Sequence, residues 1–383
     1  MKSKEQKIVV FVGAAQGLAR YGLSIANALN KHTQLKVVVP SNITTDTSLT
    51  SLLEDLQVIS YEKLTGSSFL RTIISVIRVY YQLIRFNPQL VHETSGATYF
   101  SNLLFLPFFL FKPMVVTEHE PVERHQSKIS FKKRITSYMY SHLANSFIVH
   151  GPFCKEMLNK NINLKNTPVH IIHHGAYNFY RLLSKDKVER NWNEILFFGS
   201  LRPDKGFEHL PTLIDLLDMA SIPFTLVVAC NPEWPEELNS TKWPSLVEKT
   251  MEFLQSHPKV VVENRFIPDE EVGRYFKRAS IILLPYNSAT QSGVVTIGLT
   301  FGSVPVAFNV GDLGYMIKHQ YNGILVDKGD FNQMAESIIA LINDQSDMKK
   351  LSENALNYSE TALNWNDEIV EKHLQLYQQL LNK

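Results

Sequence analysis

Apolar residues in this chain fall into short runs and helical stripes that alternate along its length. Residues 8–13 are an apolar run ended by glycine and read as a buried first strand. Residues 18–31 carry Ala, Leu and Ile at helical spacing, 35–40 form a Val-rich second strand, and 67–86 a long amphipathic helix. Further strands are predicted at 90–92, 113–119, 147–150 and 170–173. Strands separated by helices imply parallel pairing through right-handed crossovers, hence a doubly wound sheet. Residues 177–193, YNFYRLLSKDKVERNWN, lose the periodicity and are densely charged, which marks a linker. A second series follows, with strands at 195–199, 224–229, 260–262, 281–285, 304–308 and 323–326. Its helices are predicted at 206–219, 268–278, 292–301, 334–344 and 365–381. The pattern predicts two Rossmann-like α/β domains in tandem with a cleft between them.

Length agrees, since 383 residues suffice for two domains with their own cores. No run approaches the roughly 20 apolar residues that span a membrane. The apolar stretch near the N-terminus breaks at Gly13, so it reads as a strand and not a secretion signal. The two cysteines, Cys154 and Cys230, are far apart and lack metal-ligand neighbours, which points to a reducing cytosol. Charge changes the picture more. The 38 Lys and Arg divide 21 and 17 between residues 1–185 and 186–383, and the 37 acids 10 and 27, so +11 and −10 lie behind a net charge of +1. A basic first half attracts phosphate-rich surfaces or anionic lipid headgroups. No nucleic-acid module is recognised.

Four stretches have residue types suited to chemistry. FVGAAQGLARYG, residues 11–22, is a glycine-bearing turn between strand and helix, where backbone amides can meet a ligand; its spacing fits neither the dinucleotide fingerprint nor a Walker loop. FFGSLRPDKGFEHL, residues 197–210, sets Arg202 and Lys205 in a strand-to-helix loop suited to an anion. In LLPYNSATQSGVVTIGLTFGSVPVAF, residues 283–308, Ser292 is a natural N-cap and Gly293 leaves helix amides open to a phosphate. VVTEHEP, residues 115–121, carries His119 and Glu120 off a strand end. His150, His173 and His174 also lie at strand ends without metal-ligand spacing, so no metal is assigned.

Taken together, these residues resemble the retaining glycosyltransferases of family 4, which have the GT-B fold. Gly17 to Tyr21 resembles the family's glycine turn, Thr117-Glu118-His119 its strand-end histidine, and Ile172 to Gly175 its pre-linker turn. Phe198 through Gly206 resembles the donor-phosphate motif, and Leu284-Pro285, Ser292-Gly293, Gly302 and Pro305-Val306 follow the longest signature. Trp365 and the final helix resemble the segment that crosses back onto the N-terminal domain. The resemblance implies an acceptor-binding domain at 1–182, a donor-binding domain at 183–364, and a returning helix at 365–383. It implies that Arg202 and Lys205 hold the donor diphosphate, with Thr290, Gln291, Ser292, Gly293, Val294 and Gly17 completing the donor contacts. His119 would be the catalytic residue lining the transferred sugar, Glu120 and Arg20 would face the acceptor, and Arg265, Phe266 and Ile267 the nucleotide base.

The implied reaction moves a sugar from a nucleotide-diphosphate donor to a hydroxyl with retention, without metal or other cofactor. Its acceptor would be a glycan or a lipid-linked chain in polysaccharide or glycolipid synthesis. The setting is cytoplasmic, with a possible peripheral contact to anionic membrane through Arg71, Arg78, Arg85 and the cluster Lys128, Lys132, Lys133 and Arg134. Residues 103–111, LLFLPFFLF, add an apolar run read as a buried helix. The sequence departs from the family at its two glutamates: the first falls on Ala289 or Thr290 and the second on Ile297 or Gly298. Tyr315 and Ser200 stand where an acid and an arginine are common. A GT-B epimerase acting on sugar nucleotides and a non-catalytic nucleotide-sugar binder are the rival readings.

Overall fold

The computed structural model describes residues 6–13, 16–62, 69–98, 100–121, 131–184 and 187–382, with the side chains of residues 16, 69, 98, 100 and 132 aside. The chain divides into two compact units. One takes in the chain up to Gly175 together with Leu363 onward, and the other spans Ala176–Ala362.

The first unit is built on seven strands: β1 (Lys7–Phe11), β2 (Gln34–Pro40), β3 (Val58–Tyr61), β4 (Leu90–Glu93), β5 (Met114–Thr117), β6 (Ser146–Val149) and β7 (Val169–Ile171). They pair in parallel in the order β3-β2-β1-β4-β5-β6-β7. Its longer helices are α1 (Gln16–Asn30), α2 (Phe69–Phe86), α3 (Phe131–Leu143) and α4 (Pro152–Asn161). Alternate side chains of β1 feed two cores, as a sheet covered on both faces requires. Ile8 and Val10 pack with α1, while Val9 and Phe11 pack with Val79 and Leu83 of α2 and with Phe105 and Phe109.

The second unit has six parallel strands in the order β10-β9-β8-β11-β12-β13. These are β8 (Asn191–Ser200), β9 (Thr225–Asn231), β10 (Val260–Asn264), β11 (Ala279–Leu284), β12 (Val304–Phe308) and β13 (Ile324–Val326). The helices are α5 (Leu210–Met219), α6 (Trp243–Ser256), α7 (Asp269–Arg278), α8 (Gly293–Phe301), α9 (Phe331–Asn343) and α10 (Gln345–Glu360). Two doubly wound parallel sheets are thus present, as the alternation predicts.

After α10 the chain turns through Trp365–Ile369, a wide helical turn kinked at Asp367, into α11 (Val370–Leu381). Trp365, Ile369, Tyr377 and Leu380 join the α1 core of the first unit. Gly175 fits here for a steric reason, since a Cβ on it would meet the Trp365 ring at 2.2 Å.

Several local expectations need correction. The stretch 177–193 is not bare linker, because Phe179–Leu183 is a short helix with Phe179 and Tyr180 buried. Residues 103–111 form no single buried helix. A 3₁₀ segment (Phe100–Phe105) and one turn (Leu106–Phe109) bury Phe105 and Phe109 against Phe11, and Leu110 and Phe111 stand exposed. Strand β3 and helices α4, α6 and α10 were not anticipated. Lys128 and the Lys132 side chain lie outside the described residues.

Candidate functional site

In a doubly wound sheet, ligands bind beyond the strand C-termini where the strand order reverses. In the second unit that point lies between β8 and β11. The loop after β8 holds Arg202, Asp204 and Lys205, and the loop after β11 holds Tyr286 and Asn287. Asn287 ties the two together. Its Nδ2 donates to Pro203 O and to Glu208 Oε1, both at 2.7 Å, its backbone N–H donates to Asp204 O at 3.0 Å, and its Oδ1 faces His209 Nε2 at 2.9 Å. With both amide hydrogens committed, Oδ1 accepts, so the His209 proton sits on Nε2.

The Lys205 ammonium lies 3.9 Å from the centroid of the buried Tyr286 ring, a cation–π contact that holds it at the sheet edge. Arg202 is placed differently, because its Nε and Nη2 donate to the buried Asp204 carboxylate at 2.9 and 2.7 Å. One edge of the guanidinium is therefore engaged and its charge largely balanced. Gly206 closes the turn at φ +66°, and a Cβ there would lie 1.9 Å from Pro285 O. Gly206→Ala is expected to cost about 3 kcal/mol, combining left-handed strain with a backbone clash. Urea denaturation of the variant is the check, and an unchanged midpoint would refute this account of the turn.

From the same β11 loop, Ser292 caps α8, its Oγ accepting from Val295 N–H at 3.4 Å. Gly293 is exposed, beside the ring of Tyr177, and Val294 is half-buried in the first turn. Thr290 is buried and Gln291 half-buried. Lys205, Thr290, Gln291, Ser292, Gly293 and Val294 thus all belong to the two loops flanking the reversal point. Arg265 sits elsewhere, at the end of β10, donating to Glu263 at 3.1 Å and, through both terminal nitrogens, to Glu271 at 3.1 and 2.5 Å. These carboxylates raise its already high pKa further. Ile267 is buried and Phe266 is the exposed member of that trio.

In the first unit the strand order reverses between β1 and β4. Gly17 does not form the turn itself but lies in the first turn of α1, with open space where a Cβ would point. Arg20 is buried, which takes its guanidinium off the surface. His119 is also buried. Its Nε2 faces Thr94 O at 2.8 Å, its Nδ1 faces His150 Nε2 at 3.2 Å, and its ring meets Tyr21 edge-on at 4.7 Å. His150 Nδ1 faces Ile172 O at 2.9 Å. Each outer nitrogen faces a carbonyl and donates to it, so the two inner nitrogens meet as acceptors unless one of them carries a further proton. Adding one proton would convert that contact into a hydrogen bond.

More histidines surround this pair. Tyr377 Oη lies 2.6 Å from His92 Nδ1, and His92 Nε2 lies 2.8 Å from Thr117 Oγ1. Burial pushes His174 and His373 down to about 4 and drives His92 and His150 well below the usual imidazole range. It acts oppositely on carboxyls, raising Glu118 and pushing Glu93 up to about 8 despite donors from Ser95 and Asn102. Glu120 is half-buried, its N–H donating to Glu118 Oε1 at 3.2 Å and its carbonyl accepting from Lys133. Among the described residues, no group of three or more His, Cys, Asp or Glu side chains is placed to hold a metal ion.

Asp204, Tyr286, Asn287 and the cluster around Tyr21 and His92 were not singled out from the sequence. Their positions follow from loop-to-loop pairing, for which a single sequence carries no signal.

Comparison with known proteins covers both units. Residues 183–358 match the family described as glycosyl transferases group 1, and residues 15–176 match glycosyltransferase family 4. An uncharacterised glycosyltransferase of Methanocaldococcus jannaschii is 25% identical over 56% of this chain and 55% of its own length. The chain thus spans about half the length of the curated relatives it matches. Among solved structures, sucrose-phosphate synthase from Thermosynechococcus elongatus superposes with a TM-score of 0.68 at 17% identity, covering 99% of this chain and 100% of that one. Anabaena HepE in complex with UDP-glucose gives 0.69 at 15% identity, covering 97% and 100%.

Proposed function

The chain belongs to the group 1 glycosyl transferases, with two Rossmann-like sheets of the GT-B type, and from that premise we propose that it is a retaining, metal-independent glycosyltransferase. It moves a sugar from a nucleotide-diphosphate donor to a hydroxyl of a glycan or lipid-linked acceptor, on the cytoplasmic side, in surface polysaccharide or glycolipid synthesis. One observation carries this reading. The Lys205 ammonium, seated on Tyr286, and the capped start of α8 come from the two loops that flank the strand reversal of the second sheet. As the bond to the anomeric carbon breaks, charge grows on the departing diphosphate. A fixed ammonium and the open first-turn amides at Gly293 and Val294 offset that charge.

Arg202 assists through the part of its guanidinium turned away from Asp204, and Thr290 and Gln291 donate to sugar hydroxyls. Phe266 stacks on the base, with Ile267 beneath it and Arg265 bracing the turn through Glu271. Gly17 and Glu120 are assigned to the acceptor side, with the buried His119 and Arg20 supporting the transferred sugar and the acceptor from beneath that surface. No cofactor beyond the donor is required.

HepE holds UDP-glucose, which makes UDP the first nucleotide to test. Titration calorimetry with UDP, GDP, ADP, TDP and CMP is expected to give micromolar binding for one diphosphate, followed by sugar release or transfer from its conjugate. Absence of binding to any of them would refute the proposal.

A second reading, a nucleotide-sugar binder without turnover, has one structural observation in its favour. A Cβ at Gly298 would meet Ile282 Cδ1 at 2.3 Å, so a carboxylate side chain there would have to displace the Ile282 side chain, and Thr290 and Ile297 are buried. Binding without donor hydrolysis or transfer would select this reading.

A further inference from the structure

Helix α2 is apolar on two faces, only one of which is packed. At 100° per residue, Thr72, Val79 and Leu83 share one side and are buried. Leu70, Ile74, Ile77, Tyr81 and Ile84 fall within an arc of about 80° on the opposite side. All five are exposed, among them Leu70 at 69%, Ile77 at 61% and Ile84 at 68%. Singly exposed apolar residues are ordinary, but a continuous stripe along 18 residues is not.

Charge identifies the occupant. Arg71, Arg78 and Arg85 are exposed and line one border of the stripe, and the helix sequence FLRTIISVIRVYYQLIRF contains no acid. At its C-terminal end, Lys112 Nζ donates to Asn87 Oδ1 at 3.1 Å. That contact sets Leu110 and Phe111, the latter 81% exposed, beside the same end of the helix. Lys7 and Lys36 stand over the Phe86 ring at 5.9 and 5.3 Å. Apolar arc and arginines therefore run together along the helix. An antiparallel two-fold pairing of this face with a second copy would bring the three arginines of each chain face to face, which like-charge repulsion opposes. No described helix is long and apolar enough to cross a membrane, so α2 suits lying on a bilayer and not spanning it.

We propose that the outer face of α2, with Leu110 and Phe111, docks on a bilayer rich in anionic lipid, the apolar stripe entering the headgroup boundary while Arg71, Arg78 and Arg85 pair with lipid phosphates. This docking is independent of the donor chemistry, and nucleotide binding is measured separately.

The test is co-sedimentation of the full chain with phosphatidylcholine vesicles, with and without phosphatidylglycerol. The protein is expected to sediment with the anionic vesicles and to be released by salt. An Arg71→Gln, Arg78→Gln, Arg85→Gln variant should partition on the order of 100-fold less, since each cation near an anionic leaflet contributes about fivefold. Ile77→Asp with Ile84→Asp should abolish binding, with circular dichroism and nucleotide affinity unchanged in both variants. Equal binding to neutral and anionic vesicles, absence of binding, or variants that bind like wild type would overturn the proposal. A concentration-dependent dimer broken by Ile77→Asp would overturn it too, assigning the face to a second copy.

Discussion

Lys205→Ala is expected to lower kcat/KM for sugar transfer by about 100- to 1,000-fold, the range found when one preorganised donor to a developing anion is removed. The magnitude rests on how the neighbouring cation is placed. Arg202 reaches Asp204 with two nitrogens, so its charge is largely balanced before any ligand arrives. Lys205 has the Tyr286 ring beneath it, which holds the ammonium in position at the sheet edge. Removing it takes away an interaction that strengthens as the diphosphate leaves, so kcat falls along with donor affinity. Lys205→Arg should restore little, because a planar guanidinium on the same ring cannot put a compact charge where the ammonium was. Steady-state kinetics with calorimetry on the nucleoside diphosphate would decide. A loss smaller than about fivefold would mean that the leaving group is stabilised elsewhere.

Stability should depend on pH on both sides of a maximum. His174 and His373 titrate near 6.5 when unfolded and at about 4 when folded, so below 6.5 the unfolded chain takes up protons first. Each therefore withdraws up to about 3 kcal/mol as pH falls through that window, and His92 and His150 act in the same direction. Glu93 is the mirror case. It titrates near 4.5 unfolded and at about 8 folded, so rising pH ionises the unfolded carboxyl first and withdraws up to about 5 kcal/mol by pH 8. The opposing slopes overlap between 4.5 and 6.5, where the four histidines outweigh the carboxyls, so the melting temperature of the first unit should peak near 6.5 and fall above it. Glu93→Gln should flatten the alkaline limb and His373→Gln the acid limb. A melting temperature that rises from pH 6.5 to 8 would contradict this assignment.

The sequence was most informative where one element decides its own fate. The run at β1 buries both faces, so it reads as a strand without knowledge of its neighbours, and Ser292 caps α8 through bonds confined to one turn. Strand β3 is only Val58–Tyr61 beside a charged stretch, too short to stand out before β2 pairs with it. Helix α6 opens at Trp243-Pro244, a favourable first turn that resembles a loop when read locally. The candidate site divides in the same way. Lys205 and Gly293 lie in loops whose type is apparent from strand and helix periodicity. Asn287, Asp204 and Tyr286 matter because two loops 80 residues apart meet, and the strand-end histidines matter because five strands and helices bring them together. The outward stripe of α2 shows the complementary case: its periodicity is plain in sequence, but which of its two apolar faces is covered is decided only by packing.

The return of Trp365 and α11 to the first unit has a consequence for the order of events during synthesis. The second unit takes in Ala176–Ala362, and the first lacks Trp365, Tyr377 and Leu380 until that whole stretch has been made. At ribosomal rates of 5–20 residues per second, the first half waits roughly 10–40 s for the helix that closes its core. The unit begun first is thus closed only after the second has been made, and during that interval the part of the α1 core that Trp365, Tyr377 and Leu380 later cover is exposed.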